Sequence, residues 1–172
     1  MKMQKIAIIG NSGGGKTALA RHLGQLYGLP VTHVDSIQFL PGMKIRPHAE
    51  SIQILSEIQT REAWIIDGYG PLDILTGRLA LADQIYFIDL PIWRHFWWCT
   101  KRQVKNIFSR RAELVEGCNE LTFEHTKKLY QSLWQVHTKM RPEMLRILGR
   151  EPLCEKTMHV HTLHQLRELM RP

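Results

Sequence analysis

Cysteine is scarce in this chain of 172 residues: Cys99, Cys118 and Cys154 stand far apart, with no C-x-x-C spacing. An odd and dispersed set argues against a disulfide framework and against a thiolate zinc site, and it suits a reducing compartment. Long apolar runs are missing too, none approaching the ~20 residues that cross a bilayer. The chain passes from Met1-Lys2 straight into a short strand-like segment, so a cytoplasmic protein with no membrane partner is expected. Nine histidines are present, but none falls in H-E-x-x-H or another ligand spacing, which leaves histidine-bound metal chemistry without a motif. Acidic residues are absent between Leu90 and Ala112, where Arg94, Lys101, Arg102, Lys105, Arg110 and Arg111 all carry positive charge. That stretch reads as a cationic surface closing over polyphosphate, with a nucleic-acid patch or a merely solvated helix face as its rivals.

What the chain does have begins at residue 10. Gly10-Asn11-Ser12-Gly13-Gly14-Gly15-Lys16-Thr17 fits G-x-x-x-x-G-K-[ST] and follows the apolar run Ile6-Ala7-Ile8-Ile9. Strand before and helix after is the context a phosphate-binding loop requires. Glycines let the chain wrap tightly enough to aim successive N–H groups at phosphate oxygens, and the helix that follows adds its positive dipole end. Gly10 through Thr17, with Ala18, are therefore the expected nucleotide-binding residues. Lys16 bridges the outer phosphates on this reading, and Thr17 offers its hydroxyl to Mg²⁺.

The length suits one domain large enough to bury its own core. Strand-like runs at Lys5–Ile9, Val31–Val34, Trp64–Ile66, Gln84–Ile88 and Met158–Val160 alternate with helical patterns at Lys16–Tyr27, Ala49–Arg61, Asp73–Leu81, Ile92–Arg110, Glu120–Leu148 and Leu163–Met170. Such alternation predicts an α/β protein with a five-stranded parallel sheet between helical layers. The segment at about 109–119, charged and without apolar periodicity, predicts a small lid. Trp93, Phe96, Trp97 and Trp98 recur at near-helical spacing, and are expected to anchor their helix in the core.

Two carboxylates stand at strand ends. Asp35, after the second strand, is placed to orient or deprotonate an acceptor hydroxyl, although an Asp there also caps turns. Asp67 closes the apolar run Ala63-Trp64-Ile65-Ile66 in the manner of a Walker B carboxylate and is expected to hold Mg²⁺. Gly68 lets the chain turn close to the transferring phosphate. Asp67-Gly68-Tyr69-Gly70 also satisfies D-x-x-G, but no N-K-x-D follows, which counts against a GTP switch.

Together, the phosphate loop, the Asp35 segment, Trp64 to Tyr69, Arg78-Leu79-Ala80-Leu81-Ala82-Asp83, Ile88-Asp89-Leu90-Pro91, Gly117-Cys118 and Arg141-Pro142 span nearly the whole chain. As a set they resemble the adenylate-kinase-related P-loop kinases known as DNA topology modulation proteins. The resemblance implies a P-loop NTPase domain of three α/β/α layers, nucleoside-monophosphate-kinase-like, with an acceptor-side helical region at about 36–61. It implies ATP and Mg²⁺ as cofactors and a nucleotide or small molecule as phosphate acceptor. Arg102 matches a lid-hinge arginine, Arg110 and Arg111 lie in the lid, and Lys139 and Arg141 match basic positions on the long helix behind it. Arg78 falls where such kinases position acceptor groups, and His161 with Thr162 borders the adenine. Two departures stand out. Trp98 replaces an arginine that packs over the base, and D-G-[FY]-P-R is incomplete, because Gly70-Pro71 follows Tyr69. The expected activity is ATP- and Mg²⁺-dependent phosphotransfer. The alternatives are an ATP-modulated DNA-associated regulator, which only bulk charge supports, and a slow ATPase without a dedicated acceptor.

Overall fold

Strand β1 (Lys5–Gly10) has five consecutive buried residues, Ile6 to Gly10, as expected of a strand covered on both faces. It is the centre of a parallel sheet in the order β2-β5-β1-β6-β7, with β2 at Val31–His33, β5 at Trp64–Asp67, β6 at Gln84–Ile88 and β7 at Thr157–Val160. The computed structural model describes residues 4–41, 44–108 and 123–171. Helices α1 (Lys16–Tyr27) and α8 (Leu163–Glu168) cover one face, where Leu19, Leu23 and Leu166 pack on Ile6, Ile8, Ile65, Tyr86 and Val160. Helices α3 (His48–Gln59), α4 (Leu72–Leu81) and α7 (Arg141–Leu148) cover the other, where Leu55, Leu75, Leu79, Met144 and Leu148 pack on Ala7, Ile9, Trp64, Ile66 and Phe87. Alternate side chains of β1 thus feed two cores, the period-2 consequence of strand geometry.

Register brings the carboxyl ends of the strands together: Ile8 pairs with Asp67, His33 with Asp67, Gly10 with Ile88 and Ile88 with Val160. Gly10 sits where β1 leaves the sheet, at φ +141, and a Cβ there would lie 2.2 Å from the Ile88 carbonyl oxygen. Gly10→Ala therefore combines a forbidden backbone region with a clash against another strand's main chain. It is expected to cost about 3 kcal/mol or more in a urea unfolding series.

Two segments differ from expectation. The region at 36–61 is only partly helical: the short helix α2 (Val34–Gln38) is followed by an antiparallel pair, β3 (Phe39–Leu40) and β4 (Lys44–Ile45), before α3. Elements of two to five residues are too short to show a period. The helix expected from 120 to 148 is α6 (Phe123–Gln135), a π-helical turn at Val136–Met140, then α7. Pro142 has no N–H to give the preceding turn, and a widened turn is one way a helix accommodates that. Gly149 caps α7, as its place after the last apolar residue implies. The lid expected at about 109–119, with Arg110 and Arg111, lies outside the described residues.

Helix α5 (Ile92–Phe108) departs in part from expectation: Trp93 and Trp97 are 58% and 61% exposed, Phe96 and Trp98 are half-buried, and His95, Cys99 and Gln103 face inward. The reason is the closeness of the phosphate loop. A Cβ on Gly13 would lie 2.7 Å from Cys99 Sγ and 3.1 Å from the His95 carbonyl oxygen, so indole rings do not fit on that side.

Candidate active site

The loop between β1 and α1 ends on Gly15, the N-cap of α1, in left-handed conformation at φ 86. No side chain caps the helix, and its first turn carries no acidic residue. The N–H groups there are left to an anion, and no fixed negative charge competes with it. Lys16 Nζ donates to the Asn11 carbonyl at 3.0 Å, so its cation is folded back over the loop. The loop is pinned from beneath: Asn11 Nδ2 donates to the Leu133 carbonyl of α6 at 2.8 Å, and His95 Nδ1 lies 2.8 Å from the Ser12 carbonyl oxygen.

Thr17 and Asp67 meet as their motifs require. Thr17 Oγ1 donates to Asp67 Oδ2 at 2.8 Å, and His33 Nδ1 approaches the same oxygen at 3.1 Å. The other oxygen, Asp67 Oδ1, is buried and has no partner among the described residues. An orphaned carboxylate oxygen beside a threonine hydroxyl is a pair of hard oxygen donors, the kind that suits Mg²⁺.

A small cleft opens beside the loop at the ends of β5 and β6, lined among others by Asn11, Tyr69, Asp89, His95, His137 and Arg141. Burial would push the Asp89 carboxyl up, but hydrogen bonds from Arg141 and His159, with their charges, more than offset it and hold it below its usual value. Arg141 Nε donates to Asp89 Oδ1 at 2.6 Å and His159 Nε2 to Oδ2 at 2.8 Å. The π turn and α7 thus swing His137 and Arg141 over the strand ends. A carboxyl held below its unfolded value of about 4 stabilises the fold above that pH, and the contribution is lost as pH falls through the native value. Arg141→Ala is accordingly expected to cost about 1 kcal/mol at pH 7, screening of its partly exposed guanidinium included, and less at pH 3, in paired urea titrations.

The remaining expected site residues are scattered. Arg78 is fully buried in α4, its Nη1 donating to the Gly68 carbonyl at 2.8 Å while Nε and Nη2 have no partner among the described residues. It braces the Gly68 turn from below and does not line the cleft, contrary to a role in touching an acceptor. Burial lowers its guanidinium to about 10. Asp35 lies exposed in the first turn of α2, two residues beyond His33, and Lys139 and Ala18 are exposed. Arg102 is half-buried, its Nε enclosed without a partner among the described residues. Trp98 is partly buried on the α1/α8 side, 3.9 Å from where a Gly15 Cβ would stand. His161 lies exposed after β7, its ring centroid 3.6 Å from that of His159 and its N–H donating to Gln165 Oε1. Asp89, His33, His95 and His159 have no role in the sequence reading. Of these only Asp89 carries a signal, as a further carboxylate just after a strand.

No family model and no curated protein matches the chain. Among solved structures it is similar to shikimate kinase from Acinetobacter baumannii in complex with shikimate, at 16% identity and a TM-score of 0.52, over 93% of this chain and 83% of that one. It is also similar to shikimate kinase from Aquifex aeolicus, at 16% identity and a TM-score of 0.46, over 82% of this chain and 98% of the other. The first likeness agrees with the strand order and the loop geometry: the chain has the P-loop NTPase fold, an α/β sandwich around a five-stranded parallel sheet. Among the described residues no helix is long and apolar enough to cross a membrane.

Proposed function

We propose that the chain is an ATP- and Mg²⁺-dependent phosphotransferase acting on a small-molecule or nucleotide acceptor, of the adenylate-kinase-related type its motifs resemble. The observation that carries this reading is the 2.8 Å bond between Thr17 and Asp67, with a buried and unpartnered Asp67 oxygen at the mouth of an uncapped loop and helix. Thr17 and Asp67 would hold Mg²⁺, which offsets charge on the outer phosphate oxygens when bound. The loop amides bind the phosphates, and Lys16 leaves the Asn11 carbonyl to bridge them. Arg141, with Arg102 and the lid arginines Arg110 and Arg111, offsets charge that develops on the transferring group. An acceptor hydroxyl forms the new P–O bond as the bond to the β-phosphate oxygen breaks, and its proton passes to a carboxylate, for which Asp35 is the candidate.

The test is ATP consumption with Mg²⁺ by the purified protein against nucleosides, nucleoside monophosphates and small hydroxyl compounds. Shikimate belongs in that panel, because the Acinetobacter enzyme is held in complex with it. Stimulation by one acceptor supports the reading and names the substrate. Turnover indifferent to all of them points to an ATPase, and absence of turnover overturns the proposal.

A further inference from the structure

The ring of His95 is wedged between two backbone carbonyls. Its Nδ1 lies 2.8 Å from the oxygen of Ser12, in the phosphate loop, and its Nε2 3.2 Å from that of Leu90, just beyond β6. The residue is 2% exposed. A carbonyl oxygen only accepts, so each contact calls for an N–H on the ring, and a neutral imidazole has one. Whichever tautomer forms, the second nitrogen aims a lone pair at a carbonyl oxygen in a nearly dry site. The imidazolium alone satisfies both contacts.

The ring also backs directly onto the loop, since a Cβ on Gly14 would lie 3.0 Å from His95 Cε1. Burial pushes the imidazole down from its ordinary value and the charge of Lys16 adds to this, while the two carbonyls and Asp89 oppose it. Besides Lys16 from α1 and Asp89 beyond β6, the ionisable groups of the shared cleft are Tyr69 beyond β5, His137 from the π turn and Arg141 from α7. In the protein without nucleotide, burial and Lys16 disfavour the charged ring, and a neutral ring sets one lone pair against a carbonyl oxygen.

We propose that His95 takes up a proton when a polyphosphate seats in the loop, becoming a fixed cation beneath it and giving both carbonyls a donor. The inference rests on the phosphate-binding reading above. Seating the phosphates cancels the charge of Lys16 and adds negative charge on the far side of a single layer of backbone. One added negative charge at roughly 6–10 Å raises proton affinity about tenfold to a hundredfold at an effective dielectric near 20. That opposes the depression which burial and Lys16 impose on the imidazole. His95 is then a positioning residue: it acts on the nucleotide through Ser12 and the loop amides, and its protonation favours the nucleotide by linkage.

Calorimetric titration with Mg-ADP at pH 7, repeated in buffers of different ionisation heat, counts the protons taken up. The wild type is expected to take up a substantial fraction of one proton, and His95→Gln, whose amide still donates to one carbonyl, close to none while binding several-fold more weakly. Nitrogen NMR of histidine-labelled wild type reads the same event without a variant: the unprotonated ring nitrogen of His95 is expected to move to the protonated position on adding Mg-ADP. Binding without proton uptake, uptake unchanged in His95→Gln, or an unmoved His95 resonance overturns the proposal and leaves the phosphate loop standing. Failure of Mg-ADP to bind the wild type overturns the loop reading and this inference with it.

Discussion

Lys16→Ala is expected to lower ATP turnover by at least ~10² to 10³-fold, the loss typical of removing one oriented charge-stabilising group, while the protein stays folded. The two parts of this expectation come from different observations. Lys16 Nζ rests on a carbonyl of its own loop, Asn11, and pairs with no carboxylate among the described residues. Its side chain is half-buried at the start of α1, outside both hydrophobic clusters. Truncation therefore removes one local hydrogen bond, worth about 1 kcal/mol, and leaves the core untouched. What it removes from function is larger, because the loop's other donors are neutral amides. Steady-state ATP turnover beside a thermal melt separates the two. A melting temperature within a few degrees of wild type, with turnover lost, is the expected pair. Turnover retained in a folded variant would mean that the loop is not a phosphotransfer site.

The sheet and its phosphate loop were legible in the residues because local signals there agree with the fold. Helix α1 runs over Lys16–Tyr27 as read from the sequence, bounded by the loop glycines and by Gly28 in left-handed conformation. Continuous apolar runs marked β1, β5 and β6, since a parallel strand covered on both faces must be apolar on both. The Thr17–Asp67 pairing was legible too, because two motifs at adjacent strand ends have little freedom to miss each other. The orientation of α5 was not. Three tryptophans at helical spacing look like a core stripe, and what turns Trp93 and Trp97 outward is the approach of the phosphate loop from a distant part of the chain. That approach admits His95 and Cys99 and excludes indole. The same dependence hid His95, His33 and His159, whose partners Ser12, Asp67 and Asp89 lie 34 to 83 positions away. Arg78 shows the converse. Its place after the third strand suggested an acceptor contact, but α4 packs so that the guanidinium supports the Gly68 turn from inside.

Asp67→Asn isolates the metal role from the structural one, because asparagine keeps an oxygen to accept from Thr17 Oγ1 while losing the charge. As a structural acceptor alone, Asp67 would tolerate the change with turnover near wild type. The geometry argues otherwise. Asp67 is 5% exposed, His33 and Thr17 approach the same oxygen, and the second oxygen is enclosed with no donor against it. A buried anion with an unmatched oxygen weakens the fold on its own account unless a cation meets it. The variant without nucleotide is therefore expected to melt at or above the wild-type temperature, and to lose most of the stabilisation that Mg-ADP confers on the wild type. Turnover is expected to fall about 10²-fold, with half-maximal activity needing at least ~10-fold more Mg²⁺. Thermal melts with and without Mg-ADP, set beside a Mg²⁺ titration of turnover, measure both. A variant that melts lower yet keeps its Mg²⁺ dependence would return Asp67 to a purely structural role, and would remove the observation on which the phosphotransferase reading rests.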